Sequence, residues 1–216
     1  MDTLALLKIN EIFYSLQGES KHSGKPTTFI RLSGCPFRCS YCDTEYAFRE
    51  GVKKTIPDII QEISKYKTKL ITVTGGEPLS QKNVYYLFDT LVENNYKVSI
   101  ETSGLVDIKD IPNEIEIVMD IKTPSSRESH NNLYTNLDYL SKNDTIKFVI
   151  SSKEDYQWAK RIIKKYSLTK LCPVYFSPSY NDISIKNIAN WVLKDSLPVT
   201  IQCQLHKHIW GEIRGV

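Results

Sequence analysis

Apolar residues along this chain follow two alternating rhythms. Short β-branched or every-second-residue runs predict strands at Thr27–Ser33, Thr68–Thr74, Lys97–Glu101, Glu114–Asp120, Thr145–Ile150, Val174–Ser177 and Val199–Gln202. Helical stretches lie between them. One opens with capping-box chemistry at Thr55-Ile56-Pro57-Asp58 and runs to Tyr66; one spans Ser80–Asn95. Another follows a Ser152-x-x-Asp155 cap to Tyr166, and a fourth covers Ile183–Leu193. The polar stretch Thr123–Asn136 reads as a loop. Strands alternating with helices imply parallel pairing through right-handed crossovers. About six such units are too few for a closed eight-stranded barrel, which typically takes about 250 residues. The fold class is therefore α/β, as an open, partial barrel in one domain over residues 1–216. Within the strands, Ile115, Ile117 and Met119 share one face, and Arg31 points opposite to Ile30 and Leu32.

Composition narrows the class without deciding it. The chain has 216 residues, 41% hydrophobic and 25% charged, as in an ordinary globular protein. A net charge of +3, from 28 basic and 25 acidic residues, is too small an excess to argue for nucleic-acid binding. No run of about 18 apolar residues predicts a membrane span, and no basic-then-apolar leader is seen at the N-terminus. Five cysteines without an extracellular context point to a reducing cytoplasm.

The chemistry-bearing feature is Cys35-x3-Cys39-x2-Cys42. Three thiolates on one short loop can hold three irons of a [4Fe–4S] cluster, where an electron-transfer cluster normally takes four cysteines. One iron is then left open, and S-adenosylmethionine (SAM), through its amino and carboxylate groups, suits it. The competing reading is a structural zinc site. That needs a fourth Cys or His; Cys172 and Cys203 are distant, and His22 lies thirteen residues before the triplet. Downstream, the strand Leu70–Thr74 runs into Gly75-Gly76-Glu77-Pro78, glycines that permit close backbone approach to a ligand. Both the cysteine loop and this turn follow strands. They fall on one rim, where such sheets bind ligands.

These two motifs together resemble the radical SAM superfamily. Phe13-Tyr14-Ser15-Leu16-Gln17-Gly18-Glu19-Ser20, Phe29–Cys35, Cys42-Asp43-Thr44, Gln204-Leu205-His206-Lys207 and Arg214-Gly215-Val216 further resemble the 7-carboxy-7-deazaguanine synthase family over nearly the whole chain. The resemblance implies a partial (β/α)6 barrel with shortened helices. It implies Cys35, Cys39 and Cys42 as cluster ligands. Tyr41, Cys42, Asp43, Gly76, Asp120, Ile121, Lys122 and Ser177 would meet SAM. Thr44 would bind Mg2+ together with substrate oxygens, although a threonine after a loop is more often a cap. Leu16, Gln17, Gly18, Arg31, Thr74 and His206 would meet 6-carboxy-5,6,7,8-tetrahydropterin, with Gln204 closing the pocket. Arg31 would grip its carboxylate.

The implied reaction is ring contraction with loss of ammonia to 7-carboxy-7-deazaguanine, in queuosine and deazapurine biosynthesis. A reductant such as flavodoxin or ferredoxin and a homodimeric state are implied as well. Ser20 stands where the family usually has glycine, and the cluster loop lacks the insertion of some members. Two rivals remain at this stage. One is an activase that installs a glycyl radical on a partner protein, and the other is a non-enzymatic zinc or iron–sulfur module.

Overall fold

The computed structural model describes residues 5–180 and 182–216. Among the described residues nine strands form one sheet: β1 Leu6–Leu16, β2 Pro26–Leu32, β3 Val52–Thr55, β4 Leu70–Gly75, β5 Lys97–Thr102, β6 Glu116–Asp120, β7 Thr145–Ile150, β8 Val174–Pro178 and β9 Thr200–Ile201. Their spatial order is β3-β1-β2-β4-β5-β6-β7-β8-β9, so the sheet stays open between β3 and β9. From β2 to β9 every pairing is parallel; β1 is antiparallel to both β2 and β3. The helices are α1 Ile56–Ile63, α2 Val84–Glu93, α3 Lys153–Tyr166, α4 Leu168–Leu171, α5 Ile185–Asp195 and α6 Leu205–Trp210. The predicted open barrel with shortened helices is what the sheet order and these lengths describe.

The parallel strands present two faces. Ile30, Ile71, Val73, Ile100, Ile117, Met119, Ile146, Phe148 and Phe176 are buried in the apolar layer shared with the helices. The alternate positions, Arg31, Thr74, Glu101, Asp120, Lys147 and Ser177, line a cavity on the concave side. A parallel sheet covered by apolar layers on both faces reads as a continuous hydrophobic run. This one alternates because its inner face is largely polar, with Phe29 and Val149 as apolar members. Phe148 sets its ring edge against Phe176 at 5.7 Å, and Tyr156 does likewise at 5.8 Å. Each fully buried side chain of this size contributes about 1.5–3 kcal/mol.

Two predicted caps form. Thr55 and Asp58 make a reciprocal capping box on α1, and Ser152 accepts from Asp155 N at 3.1 Å on α3. α1 stops at Ile63, before the predicted Tyr66, and the predicted Ser80–Asn95 helix begins at Val84 after a 3-10 turn at Pro78–Ser80. The Thr123–Asn136 loop is built from 3-10 turns at Pro124–Ser126, Ser129–Asn131 and Tyr134–Tyr139.

β1 was not predicted, and its register explains why. Ile9 pairs with Leu32, but Glu11 pairs with Arg31, so Asn10 is an extra residue. Such a bulge switches which parity faces the core. Leu7 and Ile9 are buried before it; after it, Glu11 and Phe13 turn toward the concave side, and Phe13 stacks on Phe29 at 4.8 Å. No single alternation spans the strand.

Candidate active site

The β1–β2 loop crosses the end at which the parallel strands begin. There Lys21 reaches Asn143 O at 2.6 Å and His22 reaches Glu116 Oε2 at 2.9 Å; Ser20 N donates to Gln202 Oε1, just after β9, at 2.9 Å. α6 and the tail bridge back from β9 toward β1. Leu205 N donates to Gly18 O at 3.0 Å, and the Arg214 guanidinium stacks 3.5 Å from the Tyr46 ring centre. The cavity is about 540 Å3, a size typical of small-molecule sites.

Cys35, Cys39 and Cys42 all line it as free, half-buried thiols. Their loop is fixed by backbone contacts. Arg38 donates to the carbonyls of Cys35 at 2.7 Å and Phe37 at 2.6 Å, with its guanidinium 4.4 Å from the Phe48 ring centre. Ser40 is tied to the carbonyls of Ser125 and Ser126. Burial is the largest influence on each thiol and raises its pKa. That favours the protonated thiol in the metal-free protein, and binding a metal centre would favour the thiolate. Among the described residues no three His, Cys, Asp or Glu side chains converge as they would around a single metal ion. Three free thiols on one wall fit a multinuclear cluster, in which each thiolate binds a different iron.

The Gly75-Gly76 turn presses against this loop. A Cβ on Gly76 would collide with the Gly34 carbonyl and the Cys35 Cβ. Glu77 N donates to Gly34 O at 2.9 Å. The Glu77 carboxylate is buried and accepts from Leu79 N at 3.0 Å, Thr102 Oγ1 at 3.0 Å and Ser103 N at 2.7 Å. It braces the turn against β5.

Of the residues predicted to meet SAM, Tyr41, Asp43, Gly76, Asp120, Lys122 and Ser177 line the cavity. The Tyr41 hydroxyl is buried beside Thr123 and, among the described residues, makes no hydrogen bond of good geometry. Ile121 is the exception. Its side chain is buried in the apolar layer, because it follows Asp120 on an alternating strand and takes the opposite face. Lys122 Nζ donates to Asp120 Oδ2 at 2.5 Å. Burial opposes charge on both, but their attraction prevails: the Asp120 carboxyl is lowered and the Lys122 ammonium raised.

Thr44 sits at an N-cap position but makes no side-chain cap bond. Its hydroxyl donates instead to Asp43 Oδ1 at 2.8 Å. Asp43 Oδ2 accepts from Lys207 Nζ at 2.8 Å and Gln204 Nε2 at 3.0 Å. Protein atoms crowd Asp43, which by itself would raise its pKa; yet Lys207, Gln204 and Thr44 hold the carboxyl well below the usual carboxylate range. The side chain keeps 45% exposure toward the cavity mouth.

The predicted substrate residues Leu16, Gln17, Arg31, Thr74 and His206, with Gln204, also line the cavity. Gly18 does not; the His206 ring packs over it, in the place that a Cβ would need. Burial lowers the His206 pKa, favouring the neutral ring. Arg31 Nε donates to Glu11 Oε1 at 2.7 Å, and its guanidinium lies between Phe13 and Tyr46, 5.7 Å and 5.9 Å from their centres. Gln17 Nε2 reaches Thr72 Oγ1 at 3.1 Å and Glu101 Oε1 at 3.3 Å.

Glu101, Lys147 and Glu19 are cavity residues that sequence reasoning left without a role. A signal existed for the first two: each sits between or beside apolar neighbours that face the other way, so its charge points inward. Burial raises the Glu101 carboxyl.

A profile of the radical SAM superfamily matches residues 29–176. The 7-carboxy-7-deazaguanine synthase of Chlorobaculum tepidum is 38% identical over 100% of both chains. The enzyme of the same name from Methanospirillum hungatei is 42% identical over 94% of this chain and 85% of its own. This chain belongs to the 7-carboxy-7-deazaguanine synthase family. A crystal structure of QueE from Escherichia coli superposes with a TM-score of 0.78 at 22% identity, covering 93% of this chain and 95% of that one, which shows the shared fold. As a radical SAM enzyme of the 7-carboxy-7-deazaguanine synthase family, the chain is expected to carry a [4Fe–4S] cluster and SAM, the groups its cysteine wall and rim suit.

Proposed function

We propose that this protein converts 6-carboxy-5,6,7,8-tetrahydropterin to 7-carboxy-7-deazaguanine, with loss of ammonia. The observation that carries this reading is one cavity lined at once by the three free thiols, the Gly76 turn, and a second wall of Gln17, Arg31, Thr74, Glu101 and His206. An activase acting on a protein chain has no need of that second wall.

Cys35, Cys39 and Cys42 would hold the cluster, with Tyr41, Gly76, Asp120, Lys122 and Ser177 around SAM. When bound, the pair supplies a one-electron cleavage of SAM to methionine and a 5′-deoxyadenosyl radical that abstracts a hydrogen atom. The protein's own residues orient and exclude water. Arg31, stacked and already hydrogen-bonded through Nε, keeps its remaining N–H groups for the substrate carboxylate. Glu101 offers a carboxylate to the N–H edge of a pterin, held by Thr74 and Gln17. His206, neutral, covers the ring from the Gly18 side. Thr44 would hold Mg2+ with substrate oxygens, since its oxygen keeps lone pairs while donating to Asp43.

The reductant would be flavodoxin or ferredoxin, and the working state a homodimer in the cytoplasm. The family resemblance supports these three assignments. Among the described residues no helix is long and apolar enough to cross a membrane.

The test is anaerobic turnover of reconstituted protein with dithionite, SAM, magnesium and the pterin, followed by mass spectrometry. Carboxydeazaguanine with deoxyadenosine is expected. Deoxyadenosine alone would discard the pterin, and neither product from a fully loaded cluster would discard the reading.

A further inference from the structure

The cavity wall carries a buried lysine that none of the assignments above uses. Lys147 stands on β7 opposite Asp120 of β6. Its neighbours Ile146 and Phe148 face the apolar layer, so its ammonium projects inward. Nζ donates to Glu19 Oε2 at 2.8 Å and lies 3.3 Å from Asp120 Oδ1. Contacts continue in both directions. Glu19 N donates to Gln17 Oε1 at 3.1 Å, Gln17 reaches Glu101 at 3.3 Å, and Thr74 donates to Glu101 at 3.0 Å. On the other side Asp120 takes Lys122. One polar chain thus joins the residues proposed for the pterin to those proposed for SAM, and Lys147 is the joint.

We propose that Lys147 is a positioning residue whose ammonium clamps Glu19 to Asp120 and so fixes the geometry and charge of both ligand subsites at once. The inference rests on the ligand assignments above.

The charges nearby show why no other group replaces it. Glu101 faces Gln17 and Glu19 of the β1–β2 loop, Arg31 of β2, Thr74 of β4 and Lys147 of β7. Glu19 faces Lys147, Gln202 after β9 and the His206 ring. Asp120 faces Lys122, Lys147, Tyr41 and the Cys39 thiol. Arg31 is tied to Glu11 through Nε, with its remaining N–H groups assigned to the substrate carboxylate, and Lys122 is paired with Asp120. Without Lys147, Glu19 and Glu101 repel each other in a poorly solvated space. Ligand affinity that needs the ionised Glu101 carboxylate is then lost at a higher pH as the medium is acidified.

The experiment is calorimetric titration of reconstituted, unreduced enzyme with SAM and with 6-carboxytetrahydropterin across the pH range. Lys147→Gln is expected to weaken each ligand about tenfold and to move the acid limb of pterin binding up by about one pH unit. Lys147→Arg, which keeps the charge, is expected to restore the limb. Parental affinities and limb in Lys147→Gln would overturn the proposal. So would equal weakening at every pH with no rescue by arginine, which marks a packing defect. If the parent binds no pterin, the substrate reading falls and SAM alone decides: undiminished SAM affinity in Lys147→Gln overturns the clamp. If Lys147→Gln does not fold, the double variant Glu19→Gln, Lys147→Gln removes the pair together. Weakened SAM binding is expected there too, and parental SAM affinity overturns the clamp.

Discussion

Gly76→Ala sets the close packing of turn and cysteine loop against a single methyl group. The added Cβ meets the Gly34 carbonyl and the Cys35 Cβ, so relief requires backbone movement rather than the swing of a flexible side chain. Overpacking of this kind costs about 1–3 kcal/mol. Pushing Gly34 O away also weakens its bond from Glu77 N, 2.9 Å in the parent, worth about 1 kcal/mol. The sum is about 2–4 kcal/mol, or about 4–16 °C in Tm for a chain of this size. Thermal melts of the apo protein measure it. Iron and sulfide content after reconstitution should fall as well, because Cys35 moves with the loop. Gly24→Ala is the control. That glycine has φ +83° but only a 3.9 Å contact with Leu205, so it should lose about 1 kcal/mol from backbone strain alone and keep its iron. A Gly76→Ala protein that melts with the parent and loads full iron would refute the argument that the two motifs are sterically locked.

Arg31→Lys should raise the pterin KM about tenfold with kcat nearly kept, because an ammonium cannot form the planar fork; an unaltered KM would remove Arg31 from the carboxylate site. Thr44→Ala should weaken the magnesium dependence of turnover several-fold, and an unchanged magnesium titration would exclude the hydroxyl as a ligand. Asp43 has a lowered carboxyl pKa, so its hold on Lys207 is complete above the ordinary aspartate range, near about 3.9, and is lost only as pH falls through the lower folded value. Amide exchange in Leu205–Trp210 should therefore stay flat across neutral pH, whereas Asp43→Asn should speed it by about 1.5- to 5-fold, the scale of a partly exposed pair; equal exchange in parent and variant would sever that tether. Thr55→Ala breaks the capping box of α1 and should cost about 1 kcal/mol in denaturant unfolding, with iron content unchanged.

Much of this architecture was legible because local chemistry and tertiary position agree. Thr55 and Ser152 cap where their side chains can reach Asp58 and Asp155. Ile30, Arg31 and Leu32 alternate because one face meets helices and the other a cavity. Most motif-matched residues line that single cavity, because strand ends of a parallel sheet share a rim. β1 stayed hidden because the bulge at Asn10 breaks its periodicity, a tertiary feature with no signature in hydropathy. α6, six residues long, depends on packing against Gly18 and Asp43, not on propensity. Alternation turns Lys147 inward between Ile146 and Phe148, but its partner Glu19 lies 128 residues away, and no local pattern reveals that pairing. Ile121 lies between Asp120 and Lys122, and alternation assigns its side chain to the opposite face, in the apolar layer.

That alternation also bears on how the chain reaches its native pairing. Because successive residues point to opposite faces, a slip of one position on β5, β6 or β7 would drive Glu101, Asp120 or Lys147 into the apolar layer. Each unpaired ion there costs several kcal/mol. Slow, non-local parallel pairing is where topology exposes a chain to error. The charges that prepare the cavity for its ligands therefore also act as proofreaders of strand register, rejecting misaligned sheets before the barrel forms.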